Sequence, residues 1–245
     1  MKNVFDDEVF FEGYKQLREN KYSANNIDEK PALFALLPEL NGKDVLDLGC
    51  GFGENCAEFM RLGANSVVGI DCSEKMLAVA RREYPDIRFI HDDMTSVELA
   101  ENSVDVVCSS LAVHYVEDFG AFAKKVFDCL RPGGYFVFSQ EHPLTTATEL
   151  EDMWERDGDG NFVCFRLSDY SVSGHRSVSW FIEGVEKYHR TFADIVNSLT
   201  AAGFMLEKMA EPVPSPENLK RDPSLIRNYH KPNFLLIRAK RPLRK

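Results

Sequence analysis

The chain has 245 residues, which suits one large α/β domain carrying an insertion. Acids outnumber bases 39 to 29, for a formal charge of −10. That balance argues against broad binding to a nucleic-acid backbone, which needs clustered Lys and Arg, while 44% hydrophobic residues supply a sizeable core.

A helix is predicted over residues 9–19, and a second one through residue 37, with Asp28 as its N-cap and Pro31 in its first turn. Asn41-Gly42 turns the chain into a first strand at 43–48. A helix follows over 54–62 and stops at Gly63, and a second strand is predicted at 66–70. Ser73 caps a helix whose Met76, Leu77, Val79 and Ala80 fall at helical spacing, and Pro85 helps end it. Strands at 87–90 and 104–108 come next, then a helix over 118–130, the turn Arg131-Pro132-Gly133-Gly134 and a fifth strand. Regular alternation stops at residue 141. Short alternating runs at 162–167 and 177–182 suggest an inserted cap over 141–190. A helix over 192–202, stopped by Gly203, and strands near 204–209 and 234–239 flank a proline-rich stretch. Strands alternating with helices imply a mostly parallel sheet covered on both faces. The basic residues 238–245 read as a solvated tail.

None of the six cysteines forms a C-x-x-C pair, so neither zinc nor a redox dithiol is indicated, and no metal is expected. Reduced thiols suit a cytoplasmic protein. The first residues are too acidic and too short in apolar run for a signal peptide. No apolar stretch reaches the ~20 residues of a membrane span. Neither a membrane nor a nucleic-acid partner is therefore expected, and the oligomeric state is left open. Asp157-Gly158-Asp159-Gly160-Asn161 hints at calcium, but Phe162 and Ser168 stand where an EF-hand loop needs its glycine and glutamate, so it reads as a turn.

The densest chemistry lies in Asp47-Leu48-Gly49-Cys50-Gly51-Phe52-Gly53 and in Asp71 at the end of the second strand. The glycines let a ligand approach the backbone, and the helix that follows aims N–H groups at it. The acid at the next strand's tip can accept hydrogen bonds from both ribose hydroxyls. A nucleoside-containing cofactor is the first reading. The dinucleotide fingerprint needs a third glycine where Glu54 stands. A carboxylate there opposes a pyrophosphate and better tolerates a ligand with an ammonium and no phosphate, such as S-adenosylmethionine. A nicotinamide-dependent oxidoreductase and a non-catalytic S-adenosylmethionine binder are the alternatives.

The same residues resemble the first motif of the class I S-adenosylmethionine-dependent methyltransferases. Asp71 resembles their ribose-binding acid, Asp93-Met94 their adenine-binding motif, and residues 104–115 and 130–138 their fourth and fifth strands. The resemblance runs from about residue 44 to about residue 139. It implies a Rossmann-like seven-stranded sheet, order 3-2-1-4-5-7-6, and methyl transfer to a small-molecule O, N or C nucleophile. The absence of an Asn/Asp-Pro-Pro-Tyr motif disfavours DNA as acceptor.

The expected cofactor residues are Gly49, Cys50, Gly51, Gly53, Asp71, Cys72, Met76, Asp93, Met94 and Ser109. Several roles stay two-sided. Asp47 either orders the loop or reaches the ligand's ammonium through water. Met76 packs either on the adenine or in the core. One of Asp92 and Asp93 faces the adenine, and one of Ser109 and Ser110 the methionine end. His114 is either a proton acceptor beside the reacting methyl, hence the catalytic candidate, or a loop residue shaping the pocket. Glu141, His142, Tyr170, Trp180, Tyr188, His189 and Arg190 are the expected substrate residues, suited to a partly apolar acceptor with an acidic or hydroxyl group. Tyr14, Arg18, Asn25 and Asn26, within residues 1–40, are expected to form a lid over the cofactor, as in the resembled family.

Overall fold

A computed structural model describes residues 4–150 and 152–243. Helix α1 (Glu8–Glu19) precedes a π-helical turn (Asn25–Glu29) that runs into α2 (Lys30–Leu36). Then come β1 (Asp44–Leu48), α3 (Glu54–Arg61), β2 (Ser66–Asp71), α4 (Glu74–Glu83), β3 (Arg88–His91), β4 (Val104–Ser109), α5 (Phe119–Cys129) and β5 (Leu130–Glu141). The inserted region holds α6 (Pro143–Ala147) and two separate hairpins, β6 (Trp154–Arg156) with β7 (Phe162–Phe165) and β8 (Gly174–Trp180) with β9 (Ile182–His189). Helix α7 (Phe192–Ala202), β10 (Met205–Ala210), α8 (Pro216–Arg221) and β11 (Phe234–Lys240) complete the chain.

The main sheet has seven strands in the order β10-β11-β5-β4-β1-β2-β3. Strands β1 to β5 pair in parallel, and β11 is antiparallel to both β5 and β10. With the four cap strands set aside, this is the expected 3-2-1-4-5-7-6 order. β1 lies in the middle of the sheet and is almost wholly buried, with alternate side chains on opposite faces. Leu46 and Leu48 pack with α5 and α7, through Phe122, Val126, Ile195 and Leu199. Val45 points to the opposite face, among Leu33, Phe59 and Leu77 of α2, α3 and α4. A third, smaller cluster joins Phe10 of α1, Phe52 of the glycine loop, Met76 of α4 and Val185 of β9.

Four expectations need correction. Asp28 does not cap a helix. It lies inside the π-helical turn, buried, and burial pushes its carboxyl up to about 6. Arg131-Pro132-Gly133-Gly134 does not precede β5 but bulges out of it, since Val104 pairs with Leu130 and Val106 with Tyr135. The cap has four strands, with β9 running well past the predicted end at residue 182. The basic residues from 238 are not a free tail. Arg238 pairs with Glu207 at 3.0 Å, and Arg241 donates to the carbonyls of Phe127, Asp128 and Leu130. The last two of that stretch, Arg244 and Lys245, lie outside the described residues.

Candidate active site

A cavity of about 1220 Å³ opens at the carboxyl ends of β1 to β5. The order reverses there, with β2 on one side of β1 and β4 on the other, which is where parallel sheets bind ligands. The glycine loop forms its floor. Gly49 (φ +76°) lies so close to Ala112 that an added Cβ would come within 2.4 Å of the Ala112 Cβ. At Gly51 (φ +53°) the only atom near such a Cβ is Met76 Sδ at 3.8 Å, so the backbone faces open space. Gly49 N–H and Cys50 N–H both donate to the Ile70 carbonyl, which pins the loop to β2.

Asp71 stands beside this floor, buried. Its carboxylate accepts Gly51 N–H at 2.7 Å and Ser73 N–H at 2.9 Å. Burial raises its pKa, against those two N–H donors. Cys72, Met76, Asp92, Asp93 and Met94 line the same β2–β3 end. Both acids of the Asp92-Asp93 pair reach the cavity. Asp93 also accepts the Thr95 N–H and hydroxyl, each at 2.7 Å. Met76 packs in the third core cluster and also lines the cavity.

Three expected cofactor residues turn elsewhere. The Ser109 hydroxyl donates to the Leu48 carbonyl at 2.7 Å, tying β4 to β1, and Ser110 is the serine on the cavity. The Cys50 side chain points into the core, where it contacts Cys56. Gly53 N-caps α3 in the left-handed conformation, packed against the Phe89 ring. Asp47 is buried beneath the loop. Its Oδ2 accepts from Cys56 Sγ at 3.3 Å, its Oδ1 has no partner, and burial pushes its carboxyl up to about 7.

The β4–β5 end carries different chemistry. His114 sits on a one-turn helix after β4, 3% exposed. Its Nδ1 accepts the Glu141 N–H at 3.5 Å. Burial pushes its pKa down to about 4, with Lys187 and Arg190 adding to the effect and Glu141 opposing it. The neutral ring with an accepting Nδ1 carries its proton on Nε2. Glu141 accepts from Lys187 Nζ at 2.6 Å, and that ammonium lies 5.0 Å from the Trp180 ring centre. Burial favours the neutral Glu141 carboxyl, but the Lys187 ammonium, by charge and hydrogen bond, and Lys231 oppose it, and its pKa is lowered. Trp180 and Tyr188 line the cavity as expected.

The other expected substrate residues do not line it. His142 caps α6 through the Leu144 N–H and pairs with Glu211 at 2.8 Å. His189 bonds Thr146 Oγ1 and the Tyr170 carbonyl, while the Tyr170 hydroxyl accepts the Phe192 N–H. Arg190 donates to the Tyr188 and Glu117 carbonyls. These groups anchor the β8–β9 hairpin. Strand alternation is the reason: Ile182, Gly184, Glu186 and Tyr188 face the cavity, while Val185, Lys187 and His189 are buried on the other face.

At the amino terminus Tyr14 and Asn25 line the cavity, but Arg18 and Asn26 do not. Arg18 pairs with Glu54 at 2.7 Å, so the carboxylate at the helix start is matched by a cation. Asn26 Nδ2 donates to the carbonyls of Arg18 and Asn20. Sequence reasoning missed Phe5, Leu111, Tyr115, Glu117, Ile182 and Glu186 on the wall. Alternation along β9 could have found Ile182 and Glu186. Leu111 sits in a left-handed conformation (φ +51°), a strain that no sequence signal announces.

Among the described residues no group of three or more His, Cys, Asp or Glu side chains is arranged to hold a metal, and no helix is long and apolar enough to cross a membrane. In the Asp157–Asn161 loop, Asp157 Oδ1 accepts the Asp159 and Asn161 N–H groups, which makes a turn.

The donor set fits S-adenosylmethionine. A bare glycine backbone, a strand-end acid beside it and the orphaned Asp47 Oδ1 offer acceptors to a ribose and a cationic amino-acid end. The family described as "Methyltransferase domain" matches residues 46–138. A Haemophilus influenzae protein described as uncharacterized is 39% identical over 98% of this chain and 97% of its own length. The crystal structure of an S-adenosylmethionine-dependent methyltransferase from Mesorhizobium loti superposes with a TM-score of 0.82 at 39% identity, covering 92% of this chain and 100% of that one. The malonyl-[acyl-carrier protein] O-methyltransferase of Pectobacterium atrosepticum is 32% identical over 51% of this chain, which spans only about half (48%) of that protein. The nicotinamide alternative gives way, and the chain belongs to the class I S-adenosylmethionine-dependent methyltransferases.

Proposed function

We propose that the chain methylates a small-molecule nucleophile held between the glycine loop and the β8–β9 hairpin. The observation that carries this reading is the continuity of one cavity, from Gly51 and Asp71 at one end to His114, Glu141, Trp180 and Tyr188 at the other. When bound, S-adenosylmethionine supplies an electrophilic methyl group. In this reading Asp71 receives the ribose hydroxyls, Asp93 and Met94 face the adenine, and the Gly49 and Gly51 backbone supports the amino-acid end.

His114 orients the acceptor as a hydrogen-bond donor through Nε2 and does not remove its proton. Its Nδ1 lone pair is engaged by Glu141, and burial keeps the ring neutral. Rate then comes mainly from holding nucleophile and methyl in line. The β8–β9 hairpin acts as the cap of this site and the amino-terminal residues that line it, among them Phe5, Tyr14 and Asn25, act as its lid, an arrangement that suits a small acceptor.

The experiment is transfer from methyl-tritiated S-adenosylmethionine into two fractions of a cell extract, one below and one above about 3 kDa. Label in the small fraction is the expected result. Label confined to protein or nucleic acid would end this reading.

A further inference from the structure

Resting on that small-molecule reading, we propose that the methyl acceptor is an amine that enters the site as a cation. The β4–β5 end of the cavity is lined by Glu117, Glu141 and Glu186 and by the aromatic rings of Tyr115, Trp180 and Tyr188. Among the described residues that line the cavity, Lys125 is the only lysine or arginine. It spends its ammonium on the Thr95 and Val97 carbonyls, toward the β3 end.

Three cations stand behind this wall, and each has partners; Lys231, whose charge acts on Glu141, donates to Thr145 Oγ1 at 2.7 Å. Lys187 is paired with Glu141 at 2.6 Å. Arg190 donates to the backbone carbonyls of Tyr188 and Glu117 and lies under the field of Asp118. Setting Lys187, Arg190 and Lys231 against Glu117, Asp118, Glu141 and Glu186 leaves the wall net negative, with the exposed Glu117 and Glu186 at the mouth. Their contacts are the Tyr188 hydroxyl and the exposed His175 ring, respectively. His114, buried and neutral, adds no positive charge.

Acids combined with aromatic faces are the arrangement that recognises ammonium groups. The wall already shows the interaction once, since Lys187 Nζ lies over the Trp180 ring. A carboxylate or phosphate acceptor would have to sit against Glu117 and Glu186 with no lysine or arginine among the described residues lining that end to receive it. His142, His189 and Arg190, the residues that suggested an acidic acceptor, do not line the cavity.

The reaction balances simply. The ammonium first loses a proton to water at the mouth. The amine lone pair then forms the N–CH₃ bond as the S–CH₃ bond breaks, its electron pair staying on sulfur. S-adenosylhomocysteine leaves, and the methylated nitrogen carries the positive charge that was on sulfonium.

The test is calorimetric titration of the protein saturated with S-adenosylhomocysteine, using benzyltrimethylammonium and phenylacetate as probes of similar shape and opposite charge. The expected result is at least about tenfold tighter binding of the cation. The Glu117→Gln/Glu186→Gln double variant should weaken that binding by about three- to tenfold, the scale of one or two exposed cation contacts, with unchanged S-adenosylhomocysteine affinity as its folding control. Preferential binding of phenylacetate would overturn the amine assignment and leave the small-molecule reading standing. Binding of neither probe would overturn both.

Discussion

The backbone N–H of Glu141 donates to Nδ1 of His114 across 3.5 Å, from the end of β5 to the loop after β4. This contact engages the Nδ1 lone pair, which in the proposed function leaves Nε2 as the donor. The folded pKa of His114, about 4, lies below the ordinary 6.5. The unfolded chain therefore takes up the proton first as pH falls, and stability drops between about pH 6.5 and pH 4. The size is about 3 kcal/mol. His114→Gln removes this dependence, so the variant should gain on the wild type in denaturant midpoint as pH is lowered through that window. A constant difference between the two curves would show that His114 titrates normally. Turnover of the wild type should show no inflection assignable to His114 between pH 6 and 7.

Asp71 holds the loop as well as facing the cofactor site. Asp71→Ala should weaken S-adenosylhomocysteine binding by about 1.5–3 kcal/mol, the scale of hydrogen bonds to a charged group. It also leaves the Gly51 and Ser73 N–H groups without their carboxylate partner, so the melting temperature should fall even without ligand. Calorimetric titration and a melting curve separate the two effects.

Gly49→Ala forces a Cβ to within 2.4 Å of the Ala112 Cβ at a φ of +76°. Cofactor binding should be lost while secondary structure is retained. Adding Ala112→Gly removes the clash but not the strain of the left-handed backbone. Affinity should then recover only in part, which titration of the single and double variants would reveal.

Phe10 of α1 couples the residues before that helix to the cap, with its ring 5.2 Å from Phe5 and 5.4 Å from Trp180. Phe10→Ala should cost about 3–5 kcal/mol of stability. Proteolytic cleavage should appear in α1 and in the β8–β9 hairpin together. Cleavage of α1 alone would mean that lid and cap are not coupled through this ring.

Lys187→Met removes one partner of a buried pair and leaves Glu141 with a reduced counter-charge. A loss of about 3–5 kcal/mol is expected, and Lys187→Met/Glu141→Leu should regain much of it. Urea denaturation of both variants measures the difference.

The fold and the cofactor end were legible because they rest on local rules. Apolar runs, the glycine triplet and Asp71 lie within a short stretch of chain, and strand alternation places each residue on its face. The acceptor end was only partly legible. Trp180 and Tyr188 were found, but Tyr170, His142, His189 and Arg190 were assigned to the cavity because residue type suggested chemistry. In the fold those four satisfy backbone and side-chain partners that hold the cap down. Glu117 and Glu186 escaped notice because an exposed acid in sequence looks like any other solvated charge.

By itself the sequence determined the strand–glycine turn–helix unit and the alternation of strands and helices, since these follow from backbone geometry and from periodicities of two and 3.6 residues, whereas the sheet order came with the family resemblance that its motifs carry. Only the tertiary structure decided which face of β9 lines the cavity, that Arg18 pairs with Glu54, and that Glu141 N–H meets Nδ1 of a buried His114. Each of those depends on a partner far along the chain, and burial and charge at such a contact are set by packing rather than by sequence neighbours.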